Sequence, residues 1–483
     1  MSLPFTPLII NGSSRPASNS AQYAVRNPYT QEVVGYAAAA TKGDVKDAVE
    51  AAERAFPAWE KSLLSTRRDI FMKAADLLET ERYAQKIRAA LKDETAATDF
   101  VVGFNMFTGI NGLRVDAGAT NQLKGESHMS FIPGARVVTQ RRALGVVYAI
   151  APWNFPITLG LRAIVIPLIC GNTVILKCAE YAPRTQALIG ELLSEAGLPD
   201  GVLNVISVDK KDVPARSAEI IAHPAVRKIN FTGSALVAKL IAAEAAKHLK
   251  PCLFELGGKA PVIVLEDANI ERAAKAIASS ALIHSGQVCM STERVIVQRE
   301  VAPALKEALI KLFSSLKAGG PEETLSAVIS QESASRIVTM MRQAQEAGAH
   351  VLVGDLAQDQ SVVQPHLIVD VTPKMRLWNE ESFGPVIALA EAGTLDEAIK
   401  LANTSEYSLM AALWTKDVNS AFDVADRINS GTVNVNGPTV HTELGMAGSG
   451  FGAGESGYGT FDVAEFTISR QITFHPDQTT PYP

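Results

Sequence analysis

Cys289 ends the run Ser285-Gly286-Gln287-Val288-Cys289, a glycine-containing loop that follows an alanine-rich helical pattern over 271–283. A thiol so placed could act as a nucleophile if backbone amides or a cation raise its thiolate fraction. The competing reading is a buried structural cysteine packed as a small apolar side chain. Glu255 closes a predicted strand and leads into Leu256-Gly257-Gly258-Lys259. Open α/β sheets hold ligands at the carboxyl ends of their strands, so this carboxylate lies where chemistry could occur; read alone it is equally a solvated strand end. Pro152-Trp153-Asn154-Phe155-Pro156 also follows a strand, and alone is a rigid turn in which Pro stops the strand. No GxGxxG follows a strand between residues 142 and 265. Phe231-Thr232-Gly233-Ser234 does, and it opens a long helical pattern whose first amides and dipole could receive a pyrophosphate.

These residues need a frame. Ala143–Ala149, Thr173–Leu176, Val202–Ile206, Lys228–Phe231, Cys252–Glu255 and Val262–Leu265 are short, nearly continuous apolar runs with helical patterns between them, among them 184–196 and 234–249. That alternation predicts a parallel sheet covered on both faces, a doubly wound α/β unit. A second α/β segment runs from about 269 to 434, with helices over 301–316, 333–347 and 395–403 and strands at 295–298, 411–415 and 432–436. The first 120 residues read as mostly helical, with Asp44 as N-cap of a helix over 45–56 and Ser65 capping a second. Extended runs on either side of Pro133-Gly134 suggest a hairpin within 125–140, and the tail from Gln471 to Pro483 is expected to lie extended.

Bulk properties narrow the classes. At 483 residues the chain exceeds one ordinary core, so two or three lobes are expected. A net charge of -6 leaves no basic footprint for nucleic acid. No apolar stretch is long enough to cross a bilayer, and residues 1–11 lack the pattern of a secretory signal. Cys170, Cys178, Cys252 and Cys289 have no CxxC spacing, so no metal site of that type is expected; with no signal, four thiols suit a reducing, cytoplasmic setting.

Together, PWNFP (152–156), FTGS (231–234), ELGGK (255–259), GQVC (286–289) and EESFGPV (380–386) occur in the order found in the aldehyde dehydrogenase superfamily. Glu255 and Cys289 are 34 residues apart, the family's spacing, and the resemblance extends over about residues 8 to 470. It implies an α/β, aldehyde dehydrogenase-like fold: a doubly wound Rossmann-type NAD-binding domain (1–123 and 143–257), an α/β catalytic domain (258–448) and a small β oligomerisation element (124–142 and 465–483). It implies that Cys289 attacks the aldehyde carbonyl as a thiolate, and that the Asn154 side chain and the Cys289 backbone N–H form an oxyanion hole. Donors of that kind contribute roughly 10²–10³-fold each. Glu255 would then activate the water that hydrolyses the thioester, so that free acid is released instead of a coenzyme A ester.

For the cofactor, the resemblance places Lys177 and Glu180 at the adenosine ribose, where a carboxylate would repel the 2′-phosphate of NADP and favour NAD. Ile150 and Trp153 would line the dinucleotide cleft, Gly233 and Ser234 would meet the pyrophosphate, and Leu256 and Gly257 would also lie on the cofactor side. Glu381 would hold the nicotinamide ribose with Phe383 packed nearby, unless that ring is ordinary core. The runs Gly103-Phe104-Asn105, Arg162-Ala163-Ile164, Met290–Arg294 and Asn436–His441 resemble the aromatic-aldehyde branch, which includes salicylaldehyde, vanillin and benzaldehyde dehydrogenases. They implicate Phe155, Arg162 and His441 in the substrate pocket, against readings of Arg162 as a structural ion-pair partner and His441 as a loop cap. The alternatives are an aliphatic aldehyde or semialdehyde, a redox-free ester hydrolase, or a non-catalytic protein on the same fold. A homodimer or homotetramer is implied, with the 124–142 hairpin and the strand 466–474 extending a neighbour's sheet.

Three departures from the family stand out. Cys178 replaces a usual Pro, and Ala238 stands where the phosphate-binding helix commonly has Gly. Residues 442–459 are shorter than the usual run and lack its basic residues, and the glycine-rich part over 454–459 is expected to be mobile.

Overall fold

The protein is represented by a computed structural model, which describes residues 3–441 and 450–476. Five parallel strands form the heart of an eight-stranded sheet. Val146–Ile150 is central; Thr173–Lys177 and then Leu203–Ile206 lie on one side, Val226–Thr232 and then Cys252–Glu255 on the other. Every residue of the first two strands is buried, as expected of strands covered on both faces. The chain therefore winds outward from the centre twice, in opposite directions, and the switch point falls between Val146–Ile150 and Val226–Thr232. Ligand crevices form at the carboxyl ends of strands at such a point. The covering helices include Pro156–Ile169, Pro183–Ala196, Val213–Ala222 and Ala235–Ala246. Pro in the first turn suits the first three, because its missing N–H falls where no intrahelical bond is made.

A second, seven-stranded sheet carries the same logic. Ala260–Val264 and Thr292–Gln298 are neighbours near its centre; Val386–Ala392 and His366–Val369 lie beyond the latter, Met410–Trp414 and Thr432–Val435 beyond the former, all parallel. His350–Val353 adds an antiparallel edge. The sheets are joined by Leu256–Lys259 alone at this point: the chain leaves the carboxyl end of one strand and enters the amino end of the next within four residues. A third sheet of three antiparallel strands consists of Glu126–Met129, Arg136–Ala143 and Thr467–Phe474. The expected hairpin is therefore present, and the late strand pairs with Arg136–Ala143 of its own chain.

The first 120 residues are mostly helical, as expected, after five short strands that precede the helix Lys42–Glu60. Three other expectations need correction. The N-cap of that helix is Thr41, and Asp44 is its third residue. Thr41 Oγ1 accepts the Asp44 N–H at 3.2 Å and the Asp44 carboxylate accepts the Thr41 N–H at 2.9 Å, a reciprocal capping box. Ser65 caps nothing; the second helix, Leu64–Leu78, starts after exposed Leu63 with no side-chain cap, so its first amides are free for water. Finally, the predicted strand 143–149 is split. Gly145, at φ +136°, ends the Arg136–Ala143 strand, and Asn172 Oδ1 accepts the N–H groups of Leu144 and Gly145 at 2.7 and 3.1 Å. Val146–Ile150 then starts afresh.

Candidate active site

The two glycines after Glu255 have a steric reason. A Cβ on Gly258 would stand 2.0 Å from the Cys289 carbonyl oxygen, and one on Gly257 would meet the Glu381 carboxylate at 2.6 Å. Similarly, a Cβ on Gly286 would stand 2.1 Å from the Gly384 carbonyl oxygen. Three loops far apart in sequence thus pack backbone to backbone, a closeness only glycine permits. Buried charge fastens them. The Lys259 ammonium pairs with the Glu293 carboxylate, which also accepts the Ser382 N–H at 3.0 and 2.8 Å and the Phe383 N–H at 3.1 Å. Arg336 donates to the Glu381 and Ser382 carbonyls at 2.9 and 2.7 Å, and Arg294 Nε donates to the Lys259 carbonyl at 2.9 Å. Burial lowers the pKa of Lys259 and the adjacent Glu293 carboxylate offsets it. Glu381 accepts the Gly258 N–H at 2.8 Å; burial, then the Glu293 charge, push its carboxyl up to about 8.

This clamp sets Cys289 beside Glu255. The thiol donates to Glu255 Oε1 at 3.5 Å, while Glu255 Oε2 accepts from Thr232 Oγ1 at 3.3 Å and pairs with Arg162. Burial pushes the Cys289 thiol up to about 11, opposed by the Arg162 charge and by the backbone N–H groups of Cys289 and Met290. A lowered thiol pKa was the condition for reactivity, and the structure shows the reverse: the cation is present, but desolvation outweighs it. The thiol therefore needs a base to ionise, and Glu255 is in reach. Asn154 Nδ2 donates to the Gln287 carbonyl at 2.9 Å, leaving its second N–H for another acceptor; its Oδ1 is buried without a partner among the described residues.

Asn154, Phe155, Arg162, Glu255, Cys289 and His441 all line one cavity of about 720 Å³. It is mostly apolar, with Phe104, Phe107, Phe451 and Phe461 among its walls. Arg162 pairs with Glu255, packs its guanidinium 4.8 Å from the Phe461 ring, and lines the cavity. A cavity of this size and character suits a small aromatic or aliphatic guest held by a few polar groups.

The cofactor candidates gather at the switch point of the first sheet. Ile150 and Lys177 end adjacent strands, and Thr232 and then Glu255 end the next two on the other side of Ile150. Lys177 and Glu180 pair with each other. Ser234 is the N-cap of Ala235–Ala246 and accepts the Val237 N–H at 3.4 Å, with Gly233 immediately before it. Trp153 meets Tyr181, His284 and Phe383 edge to face, the last at 5.8 Å. Phe383 is half-buried, stands at φ +49° and packs beside Trp153. Carboxyl groups, an open helix start and an aromatic wall at the switch point fit a nicotinamide dinucleotide.

Comparison with known proteins agrees with this geometry. The model of the aldehyde dehydrogenase family matches residues 15–470. The chain belongs to the aldehyde dehydrogenase family. It is 44% identical over 474 residues to a vanillin dehydrogenase of a Pseudomonas species, covering 97% of each chain. The solved salicylaldehyde dehydrogenase of Pseudomonas putida G7, complexed with salicylaldehyde, is 36% identical with a TM-score of 0.95, over 99% of this chain and 100% of that one. Solved chains of the same fold include an NAD-dependent aldehyde dehydrogenase from Sinorhizobium meliloti (28% identical, TM-score 0.94, 100% of this chain and 97% of that one). They also include an NADP-dependent glyceraldehyde-3-phosphate dehydrogenase from Bacillus halodurans complexed with NADP (30%, 0.91, 98% and 99%). This aldehyde dehydrogenase therefore uses a nicotinamide cofactor to oxidise an aldehyde.

Other features of this aldehyde dehydrogenase escaped the motifs. His284 sits buried between Trp153 and Phe155, at φ +49°, with burial lowering its pKa to about 4, so it is a neutral wall of the site. Asp116, Thr108 and Thr158 supply polar groups to the cavity from two helices. Nothing in their local sequence distinguishes them from ordinary helix residues. The altered segment divides: residues 442–449 lie outside the described residues, whereas the glycine-rich run expected to be mobile is hydrogen-bonded. Gly457–Tyr458 adds an edge strand beside Cys252–Glu255, and Ser456 Oγ donates to the Gly257 carbonyl at 2.8 Å. Among the described residues no helix is long and apolar enough to cross a membrane, and no cluster of ligands for a metal ion occurs.

Proposed function

We propose that this enzyme oxidises an aromatic aldehyde of the salicylaldehyde, vanillin or benzaldehyde type to its acid, with NAD as the preferred cofactor. The observation that carries the reading is the Cys289 thiol in contact with the Glu255 carboxylate at the wall of a phenylalanine-lined cavity. Glu255 Oε1 takes the thiol proton, and the Cys289 sulfur attacks the carbonyl carbon to give a thiohemiacetal. The free Asn154 Nδ2–H and the Cys289 N–H hold the oxyanion. When bound, the nicotinamide supplies the hydride acceptor, and loss of hydride leaves a thioester on Cys289. Glu255 then passes its proton on and accepts one from the attacking water; the C–S bond breaks, and Cys289 leaves as the thiol beside free acid. Because Glu255 is shared among Cys289, Thr232 and Arg162, its two oxygens stay aimed at the reacting centre.

On the cofactor side, Glu381 holds the nicotinamide ribose and Phe383 and Trp153 border it. Ile150, Leu256 and Gly257 line the cleft, and Gly233 and Ser234 approach the pyrophosphate. Lys177 and Glu180 take the adenosine ribose, where the Glu180 carboxylate favours a 2′-hydroxyl over a 2′-phosphate. We assign the cofactor domain to 1–123 and 143–257 and the catalytic domain to 258–448. Residues 124–142 and 465–483 form an oligomerisation element, whose exposed Met129, Phe131, Ile468 and Phe474 suit a subunit contact in a homodimer or homotetramer of a cytoplasmic enzyme. The test is NADH formation with benzaldehyde-type and straight-chain aldehydes, with NAD and NADP in parallel. Cys289→Ala should abolish it; Glu255→Gln should lower kcat by at least about 10²-fold. A preference for straight-chain aldehydes, or for NADP, would overturn the finer assignments, and no reduced cofactor from any aldehyde would overturn the reading itself.

A further inference from the structure

Two acidic groups of the cavity are not used by the proposed reaction, Asp116 and Asp462, and the second is already satisfied: its carboxylate accepts from Thr460 Oγ1 at 2.7 Å and from the Ala464 and Glu465 N–H groups at 2.8 and 3.0 Å. Asp116 lies near the end of the helix Asp99–Ala117 and lines the cavity. Among the described residues its carboxyl has no hydrogen bond or ion pair; its only charged influence is Arg162, and burial pushes it up to about 7. Arg162 is already committed to Glu255 and to the Phe461 ring, so its positive charge tempers Asp116 without saturating it. A half-buried carboxyl without a partner, open to an apolar cavity, is costly unless a guest completes it.

The layout says where on a guest that partner would be. Thr108 and Thr158 meet at 2.6 Å, and Thr158 stands in the first turn after Asn154 and Phe155, at the reacting end. A Cβ on Gly109 would touch Ile157 at 3.0 Å and Leu161 at 3.5 Å, and Arg162, one residue further, is the charge that acts on Asp116, so the two helices run side by side from Thr108 towards Asp116. Asp116 lies two turns beyond Thr108, about 12 Å along the axis. Between them, Gly112 lines the cavity and a Cβ there would meet nothing within 4 Å. The missing side chain leaves an open path from the reacting end to the Asp116 carboxyl.

We propose that Asp116 is a substrate-binding residue that accepts a hydrogen bond from a ring hydroxyl meta or para to the aldehyde carbon. This rests on the aromatic-aldehyde reading and sharpens it: an ortho hydroxyl, beside the reacting carbon, does not reach Asp116. The substrate class is then a phenolic aldehyde whose hydroxyl is remote from the carbonyl.

The experiment compares ratios. For wild type, Asp116→Ala and the isosteric Asp116→Asn, kcat/KM is measured for 3- and 4-hydroxybenzaldehyde, salicylaldehyde and benzaldehyde. Dissociation constants for the same compounds are measured in a Cys289→Ala background, where no turnover is needed. We expect Asp116→Ala to lower the ratio of a meta- or para-hydroxy compound to benzaldehyde by about 10-fold or more, the size of a lost hydrogen bond to a charged group. The salicylaldehyde ratio should stay put, and Asn should restore part of the loss. If all compounds weaken together, Asp116 only anchors Arg162 and the inference falls. It also falls if the salicylaldehyde ratio drops equally, or if no ratio moves. If the binding ratio drops while no aldehyde yields NADH, Asp116 stands as a phenol site and the dehydrogenase reading is what fails.

Discussion

Two regions meet at Cys289 and are built in opposite ways. Behind the thiol, the loops around Gly258, Glu293 and Glu381 are clamped: Glu293 collects an ammonium and two backbone N–H groups, and three glycines are packed against carbonyl or carboxylate oxygens. In front of it, the cavity wall is phenylalanine and open helix surface, with Asp116 unpartnered and Gly112 leaving space. A fixed reaction needs one geometry held to within fractions of an ångström, which saturated polar networks deliver. A guest-binding wall needs groups left unsatisfied until the guest arrives. The contrast separates what any aldehyde oxidation requires from what selects the aldehyde.

The largest effect should come from breaking the clamp. Lys259→Met leaves the Glu293 carboxylate buried without its cation, which we expect to cost about 3–5 kcal/mol of stability, read as a fall in Tm or in the denaturant midpoint. The double variant Lys259→Met/Glu293→Gln removes the stranded charge and should recover part of that loss. If the double variant is no more stable than the single one, the clamp is held by packing, and its description as an electrostatic fastening is wrong.

The same contrast explains what could be read from the residues. ELGGK, GQVC and EESFGPV are legible because each glycine and charge answers a local steric or electrostatic demand that no other residue type meets: Gly258 faces a carbonyl oxygen, and Lys259 and Glu293 find each other in the core. The doubly wound sheet was legible from its buried, continuous apolar strands. Asp116, Thr158 and His284 were not, because their importance comes from helices and loops brought together in space, and a helix tolerates many residues on the face they occupy. Asp44 shows the same limit at small scale: an acidic residue near a helix start is equally plausible as cap or as third residue, and only the backbone conformation of Thr41 decides. The environment of the thiol was not legible for a further reason. Burial outweighed a nearby arginine, and burial cannot be read from five residues of sequence.

On the open side, Gly112→Leu should produce an intermediate effect in the opposite sense. The helix gains a better helix former, so stability should hold or rise by up to about 1 kcal/mol. The added side chain projects into the cavity, so kcat/KM for ring-bearing aldehydes should fall by about 10-fold relative to acetaldehyde. Equal losses for both substrates would mean that Gly112 serves the helix packing and not the cavity.

The smallest effect is a pH signature of the unpartnered Asp116. An ordinary aspartate titrates near pH 4 in the unfolded chain, whereas burial pushes this one up to about 7 in the fold. Between those values the folded state binds more proton than the unfolded one, so the contribution of Asp116 to stability is present at low pH and is lost as pH rises through about 7. Asp116→Asn removes the titration and keeps the shape. The variant's Tm advantage over wild type should therefore grow from about pH 4 to about pH 7 and then level off. A saturating phenolic aldehyde bound in the Cys289→Ala background should shrink that advantage, because the guest supplies the missing partner and stabilises the carboxyl form more than the Asn variant, which binds it less tightly. An advantage that is flat with pH would place the Asp116 carboxyl in water, outside the cavity's low-dielectric wall, and would erase the difference between the two regions at this position.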